Sequence, residues 1–413
     1  MSAIAITGVG TVGAHGVGVD ALLTALAAGG APTSEVDRSG GTHRPHGART
    51  ARVAAGADLS SRLTPVQARR MSPPCRYAVV AARLALEQAG LGGPDTIDHL
   101  RTAVVIGTAF GPASVTEKLL RQILGDGPET ASPALFTESV ASAAAAQVAL
   151  ALGARGPNLA VTQREASDLL AVAEGVRLLR TGAAERVVVT VVEEMIPLLH
   201  GILDRFRALA SPDEQGHEVA RPFDLRRSGV IASEGAAALL LEPAATAERR
   251  GARTLARVRA TVRGFDATAT PTDWGTGGAT LASVLDRGLA RAGVEPKSID
   301  LVLSGASGAR RGDRLEAEVL KAALGAGRPP VTAPKGSTGE YGGAFLAAAV
   351  LAAAGAIRIP THGFEQPDPG LDLVPAVEPP PAPRRALVSA LSSGGAAAWL
   401  VLDAGEPLPE GAV

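Results

Sequence analysis

The sequence predicts an α/β protein built from two similar halves, and three observations predict it. Short apolar runs alternate along the whole chain with longer stretches of helical periodicity. Several of those runs, RVVVTVV at 186–192 above all, are apolar on both faces, as strands are when helices cover a sheet on each side. The strand-turn units VVIGTAFG (104–111) and LVLSGASG (301–308) resemble each other and fall one in each half.

The elements follow in order. Residues 3–6 read as a first strand, TGVGTVG (7–13) as a glycine turn, and 17–28 as a helix. Residues 29–64 are rich in Gly, Ser, Arg and Pro and read as irregular. Pro73 and Pro74 open a long helix that Gly90 stops. A buried strand over 102–108 leads through a Gly-Pro turn to a helix over 115–124, and the alanine-rich 139–152 reads as one more helix. A short strand (159–162), a helix (167–181, stopped by Gly182) and strands at 186–192, 236–241 and 256–262 complete the first series. The second half gives a helix over 280–292, a strand over 299–303, helices over 315–324 and 344–355, and a closing strand pair at 386–391 and 397–402. The halves are expected to span 1–248 and 249–413, with the junction near 245–255.

The first turn carries the spacing G-x-G-x-x-G at Gly8, Gly10 and Gly13. A dinucleotide site needs that turn inside a βαβ unit, with an acidic residue about 20 positions on to hold the ribose. Here Gly29-Gly30-Ala31-Pro32 follows the helix, no apolar strand lies in 31–60, and Glu35 and Asp37 fall in loop-like sequence. A tight turn without a cofactor is the expectation.

Composition narrows the classes. The 413 residues are 46% hydrophobic, ample for a large core. Lys+Arg 40 against Asp+Glu 41 leaves a net charge of −1, so no basic field is on offer to nucleic acid or an anionic membrane. A single cysteine excludes a disulfide framework within the chain and any cysteine-based metal cluster. No run of about 18 apolar residues and no secretory signal pattern are apparent, so a cytoplasmic protein is expected.

Four stretches keep a fixed order: GPNLAVTQREASDLLAVAEGVRLLRTG (156–182), RPFDLRRSGVIASEGAAALLLE (221–242), LSGASGARRGDRLEAE (303–318) and APKGSTGEYGG (333–343). With ITGVG at 6–10 and the closing ALVSALSSGG (386–395), they resemble the β-ketoacyl synthase family of the thiolase superfamily over nearly the whole chain. RPFD and SEG (233–235) are the most specific pieces. The resemblance implies a five-layered αβαβα thiolase-like fold with two duplicated halves. It also implies that the glycines of the first turn belong to the fold.

That family performs a Claisen condensation. A cysteine thiolate at a strand-to-helix turn takes the acyl chain from a carrier protein, and two imidazoles assist decarboxylation of the extender and stabilise the enolate and oxyanion. Counting from Gly156-Pro157, or back from Gly182, places Glu165 at the cysteine position. Anchoring on Gly312-Asp313 places Gly305 at the first histidine, and the stretch from Lys335 to Gly339 places Glu340 at the second. Lys335, Asp313 and Glu316 remain as supporting residues, while the family's Phe-rich turn is replaced by Leu391, Ser392 and Ser393 before Gly394-Gly395.

A carboxylate does not replace the thiolate, because an acyl-glutamate anhydride is too reactive to store a chain in water. The pattern is similar to chain-length factors, non-catalytic partners of type II polyketide ketosynthases, which usually carry glutamine at the nucleophile position. Gln163 stands two residues before Glu165, so Glu165 is a departure unless a shifted loop puts Gln163 there. A loading-type decarboxylase with glutamine for cysteine would keep both histidines, which this chain lacks.

What the resemblance implies is a heterodimer with a Cys/His/His ketosynthase α subunit, working on an acyl carrier protein whose phosphopantetheine arm is bound mainly by the partner. No cofactor, metal, nucleic acid or membrane enters. The length gate would lie on the helix after GTAFG, where Ala113, Thr116 and Leu120 share one face. Two other readings stay open: an independent acyl-thioester enzyme using Glu165 and Glu340 as an acid–base pair, and a structural partner without a tunnel role. Cys75 reads as a small buried residue. The seven histidines read as surface or structural, although His43 and His46 have a loose metal-like spacing.

Overall fold

The computed structural model describes residues 3–406 except 55, 94–96 and 326. Among the described residues, ten strands of the main sheet form two five-stranded units, with the short strand Gly16–Val17 paired to the strand Ile4–Gly13 beside them. The first holds β1 (Ile4–Gly13), β2 (Thr102–Gly107), β3 (Asn158–Val161), β4 (Arg186–Glu193) and β5 (Gly235–Pro243), in the spatial order β1-β5-β4-β2-β3. The second holds β6 (Ala256–Phe265), β7 (Leu301–Leu303), β8 (Val331–Thr332), β9 (Arg385–Leu391) and β10 (Ala396–Ala404), in the order β6-β10-β9-β7-β8. Counted within each unit, the two orders are identical, so the duplication hinted at by two short segments extends to the topology. Ile4–Ile6 pairs antiparallel with Ala256–Val258 and joins the units edge to edge.

Strand alternation sorts the side chains into layers. Val104, Ile106, Val188 and Leu240 pack outward against helices α1 (Pro73–Gln88) and α3 (Ala143–Leu152). Helix α2 (Ala113–Asp126) precedes α3 in the chain. Val105, Val189 and Leu239 face inward, as do Leu303, Val388 and Leu400 of the second unit, and helices α4 (Ser167–Arg180) and α7 (Ala344–Ala353) fill the space between. Val302, Leu387, Trp399 and Val401 point out against α5 (Gly278–Arg291) and α6 (Arg310–Leu324). The result is the five-layered αβαβα arrangement. All ten residues of α7 are buried, as an all-round apolar helix requires.

Three expectations need correction. The glycine turn expected at 7–13 is strand: β1 runs unbroken to Gly13. A Cβ on Gly8 would sit 2.0 Å from the Ala85 carbonyl oxygen, and one on Gly10 2.1 Å from that of Ala81. The glycines let α1 lie directly on the strand. The helix expected from 139 starts only at Ala143, as α3; a separate helix, Pro133–Ser139, ends where it was expected to begin, and the two meet at 92° where Val140 is extended. Helix α6 begins at Arg310, earlier than the expected 315, so Asp313 lies in its first turn. No single helix among the described residues is long and apolar enough to cross a membrane.

Candidate active site

Glu165 lies in the single turn Arg164–Ala166 that links β3 to α4. Arg164 holds φ at +47°, a left-handed conformation costly for a residue with a Cβ, so the elbow is strained. This turn aims Glu165 inward. Its carboxylate accepts the Tyr341 hydroxyl at 3.1 Å, the Ser393 N–H at 3.1 Å and the Ser393 hydroxyl. Gln163 is exposed, and its N–H donates to Ser167 Oγ at 2.8 Å. Glu165, and not Gln163, therefore reaches the pocket.

Glu340 follows Gly339, whose φ of +80° turns the chain out of the short helix Lys335–Thr338. Lys335 Nζ and Glu340 Oε1 are 2.5 Å apart, with 2% and 3% of their side chains exposed. The same ammonium stands 5.0 Å over the Phe345 ring. The SEG motif positions this segment: Ser233 N–H donates to the Glu340 carbonyl at 2.8 Å, and Glu234 accepts the N–H groups of Ala54 and Met195.

The retained acids act as clamps. Asp313 accepts the N–H of Phe223 at 2.8 Å and of Ser307 at 3.2 Å, tying the RPFD turn to the loop after β7. Glu316 Oε1 accepts Ser304 Oγ at 2.8 Å and the Gly305 N–H at 3.1 Å. Gly305 itself leaves no room for a side chain, because an added Cβ would lie 2.6 Å from the Ser389 carbonyl oxygen.

Asp168, Glu193, Tyr341, Ser393 and Arg164 complete the site, and sequence reasoning missed them. Glu193 accepts Thr108 Oγ1 and the N–H groups of Ala109 and Phe110, at the end of an otherwise apolar strand. Ser393 was visible only as the loss of an aromatic turn. Burial shapes the charges here. It pushes Glu193 and Glu316 up to about 7 and Asp168 and Asp313 up to about 6. Burial, then repulsion from Glu340, raises Glu165. Burial opposes the charge on Lys335, yet Glu340 and Asp168 outweigh it and hold the ammonium above its ordinary value.

A groove of about 510 Å³ runs from the surface to Glu165 and Glu340 between Phe110, Leu203, Phe206 and Trp274, with Arg207, Arg310 and Arg311 lining it as well. A second space of only about 20 Å³ lies beside Glu165, lined by Asp168, Glu193, Lys335 and Phe345. That holds little more than one water.

The proposed gate residues lie on α2. Ala113 packs beside Phe110 and Leu199, and Thr116 donates to the Pro112 carbonyl at 2.9 Å. Leu120 is 50% exposed. Leu124, Phe136, Val140, Leu150 and Leu159 are exposed too, and among the described residues β3 pairs with β2 alone, leaving an open edge. Cys75 is buried, and burial pushes its thiol up to about 12, so it is no nucleophile. His43 Nε2 stands 3.0 Å from His200 Nδ1, whose Nε2 meets the Thr50 carbonyl, and His46 is exposed apart from them. No cluster of three potential metal ligands occurs among the described residues.

The raised carboxyls predict a pH dependence. A carboxyl whose folded pKa exceeds its unfolded one binds more protons folded, so stability falls as pH rises between the two values. Burial depresses His15 to about 4 and lowers His200, which opposes the trend only below their unfolded value near 6.5. From about pH 6.5 to 7 the histidine effect is spent while the acids with values near 7 still titrate, so the urea midpoint should fall there and level off above, each group contributing at most about 1.4 kcal/mol per pH unit. Glu316→Gln keeps one acceptor oxygen and should flatten the slope; an unchanged slope would remove Glu316 as a source.

Residues 1–247 match the β-ketoacyl synthase N-terminal domain and residues 255–363 the C-terminal domain. The tetracenomycin polyketide synthase ketoacyl synthase β subunit of Streptomyces glaucescens is 31% identical over 413 residues, 97% of this chain and 98% of the relative. The α subunit of the same synthase is also 31% identical, over 386 residues, 90% of this chain and 89% of the relative. Among solved structures, the ishigamide ketosynthase/chain length factor superposes with a TM-score of 0.87 at 27% identity, covering 98% of this chain and 99% of that one.

Proposed function

The chain belongs to the β-ketoacyl synthase family, and we propose that within it this subunit is a non-catalytic chain-length factor. It pairs with a Cys/His/His ketosynthase and shapes the tunnel in which a carrier-bound polyketide or polyene chain grows. Overall identity does not separate α-like from β-like relatives, since both stand at 31%. The observation that carries the reading is the site itself. The motif register assigns Glu165, Gly305 and Glu340 to the positions of the thiolate and both imidazoles, and the recess beside Glu165, about 20 Å³, supports that reading because it is too small for an acyl chain.

Each part of the site has a consequence for the chemistry. Glu165 is tied down by Tyr341 and Ser393, and Glu340 by Lys335, so neither is free to swing onto a substrate. Among the described residues, no imidazole lines the groove or the recess beside Glu165. The carrier arm therefore delivers its chain to the partner's cysteine, and this chain contributes walls. The exposed apolar residues beside the open β3 edge suit a broad subunit interface. A second reading, an independent acyl-thioester enzyme, is favoured by one observation: the groove reaches Glu165 and Glu340 from the surface.

Purified chain given malonyl-carrier and acyl-carrier protein should form no β-ketoacyl product, while co-expression with a cysteine-bearing ketosynthase should give an active one-to-one complex. Turnover by the isolated chain that Glu165→Ala abolishes would favour the second reading. A stable monomer beside that partner would sink the heterodimer.

The gate gives a separate prediction. With Leu120 exposed on α2, Leu120→Ala should open volume where the partner's tunnel ends and lengthen products by one or more two-carbon units. Thr116→Phe should shorten them. Mass spectrometry of products from the intact heterodimer decides, and unchanged lengths in both variants would remove α2 from the gate.

A further inference from the structure

Six arginines, Arg180, Arg257, Arg259, Arg263, Arg287 and Arg291, line one surface cleft of about 660 Å³ where β6 leaves the edge of β1. The sole acid in its lining, Asp403, is held by Arg385 at 2.5 Å. Arg263 is near enough to Glu174 to influence it, but that glutamate is bound by Arg177 at 2.6 Å. Among the described residues the side chains of the other five arginines make no hydrogen bond or ion pair. On a chain of net charge −1, this is a local excess of cation, since the nearby acids Asp403 and Glu174 are each held by another arginine.

The backbone beneath is unpaired as well. Only Ala256–Val258 pairs with β1, so among the described residues 259–265 has no strand on that side, an edge of about 20 Å at roughly 3.3 Å per residue. A bulge leaves Arg259 without a residue opposite it on β10. Arg180 closes the cleft from the middle layer at the end of α4, and Arg287 and Arg291, one helical turn apart on α5, close it from the outer layer. Cations thus stand on both sides of a free strand edge.

Charges and bulges on an edge strand also blunt it against self-pairing. That accounts for Arg259 and Arg263, and leaves Arg180, Arg287 and Arg291 unexplained, because they lie on helices. A single phosphate meets two or three guanidinium groups, whereas these six come from three layers. We propose that this cleft docks an acidic polypeptide segment in extended form, with carboxylates on the arginines and main chain along the 259–265 edge. The site is independent of the chain-length reading: β6 lies five strands from the open β3 edge, about 24 Å at some 4.8 Å per strand.

The test is fluorescence anisotropy of a fluorescein-labelled oligoglutamate peptide with the purified protein at about 150 mM salt, where weak surface attraction is screened. Saturable binding is expected. The triple variant Arg259→Ser/Arg287→Ser/Arg291→Ser should weaken it by about tenfold or more, and Arg69→Ser/Arg70→Ser, on the exposed face of another helix, by less than about twofold. Arg287→Glu, off the strand, should also weaken binding without causing aggregation. Absence of saturable binding, equal loss in the control variant, complete displacement by pyrophosphate, or tighter binding of an oligothymidylate would each overturn the assignment.

Discussion

Lys335→Met should lower the stability of this chain by about 3–5 kcal/mol, the cost of leaving a buried charge without its partner. Glu340 is 3% exposed and has Lys335 Nζ at 2.5 Å. The ammonium also acts on Asp168, Glu165 and Glu316. Removing it strips this cluster of carboxyls, in a low-dielectric layer, of its buried ammonium. The double variant Lys335→Met/Glu340→Leu removes both members and should recover most of the loss. Urea unfolding of the unmodified protein, Lys335→Met, Glu340→Leu and the double variant gives the coupling energy. A single-variant loss below about 1 kcal/mol would mean that water already screens the pair.

This pair also shows what the sequence made legible and what it did not. Lys335 and Glu340 were placed by a motif, and the structure brings them together. Periodicity found the strands at 102–107 and 186–193 because strands covered on both faces are apolar throughout. It gives the wrong state for 7–13, because glycine reads locally as a turn former. The reason for Gly8 and Gly10 is a helix some 75 residues later in the chain pressing its carbonyls onto the strand, and local sequence does not carry that. The same limit hid Glu193 and Ser393. Their roles depend on partners at Thr108 and Glu165, which only the folded chain supplies. Asp313 and Glu316 were named as support, and geometry gives that word its content: each holds a loop by accepting main-chain N–H groups.

Installing the residues of a condensing enzyme in this subunit should not create one. Glu165→Cys places a thiol on the elbow before α4, where the helix N-terminus favours a thiolate, so acylation by an acyl-carrier protein is expected and mass spectrometry would detect it. Condensation needs more. Each missing electrostatic group is worth about 10²–10³ in rate, so without two imidazoles elongation should fall short by about 10⁴ or more. The histidines cannot simply be added back. At Gly305 the first side-chain carbon would already lie 2.6 Å from the Ser389 oxygen, so Gly305→His must push β9 aside. Glu340→His takes the counter-charge from Lys335 and incurs the buried-charge cost argued above. The triple variant should therefore unfold or remain inactive, while Glu165→Cys alone folds and becomes acylated. The assay pairs each variant with a ketosynthase whose own cysteine is removed. Efficient chain elongation from Glu165→Cys in that background would show that the electrophilic groups of the reaction lie elsewhere in this chain.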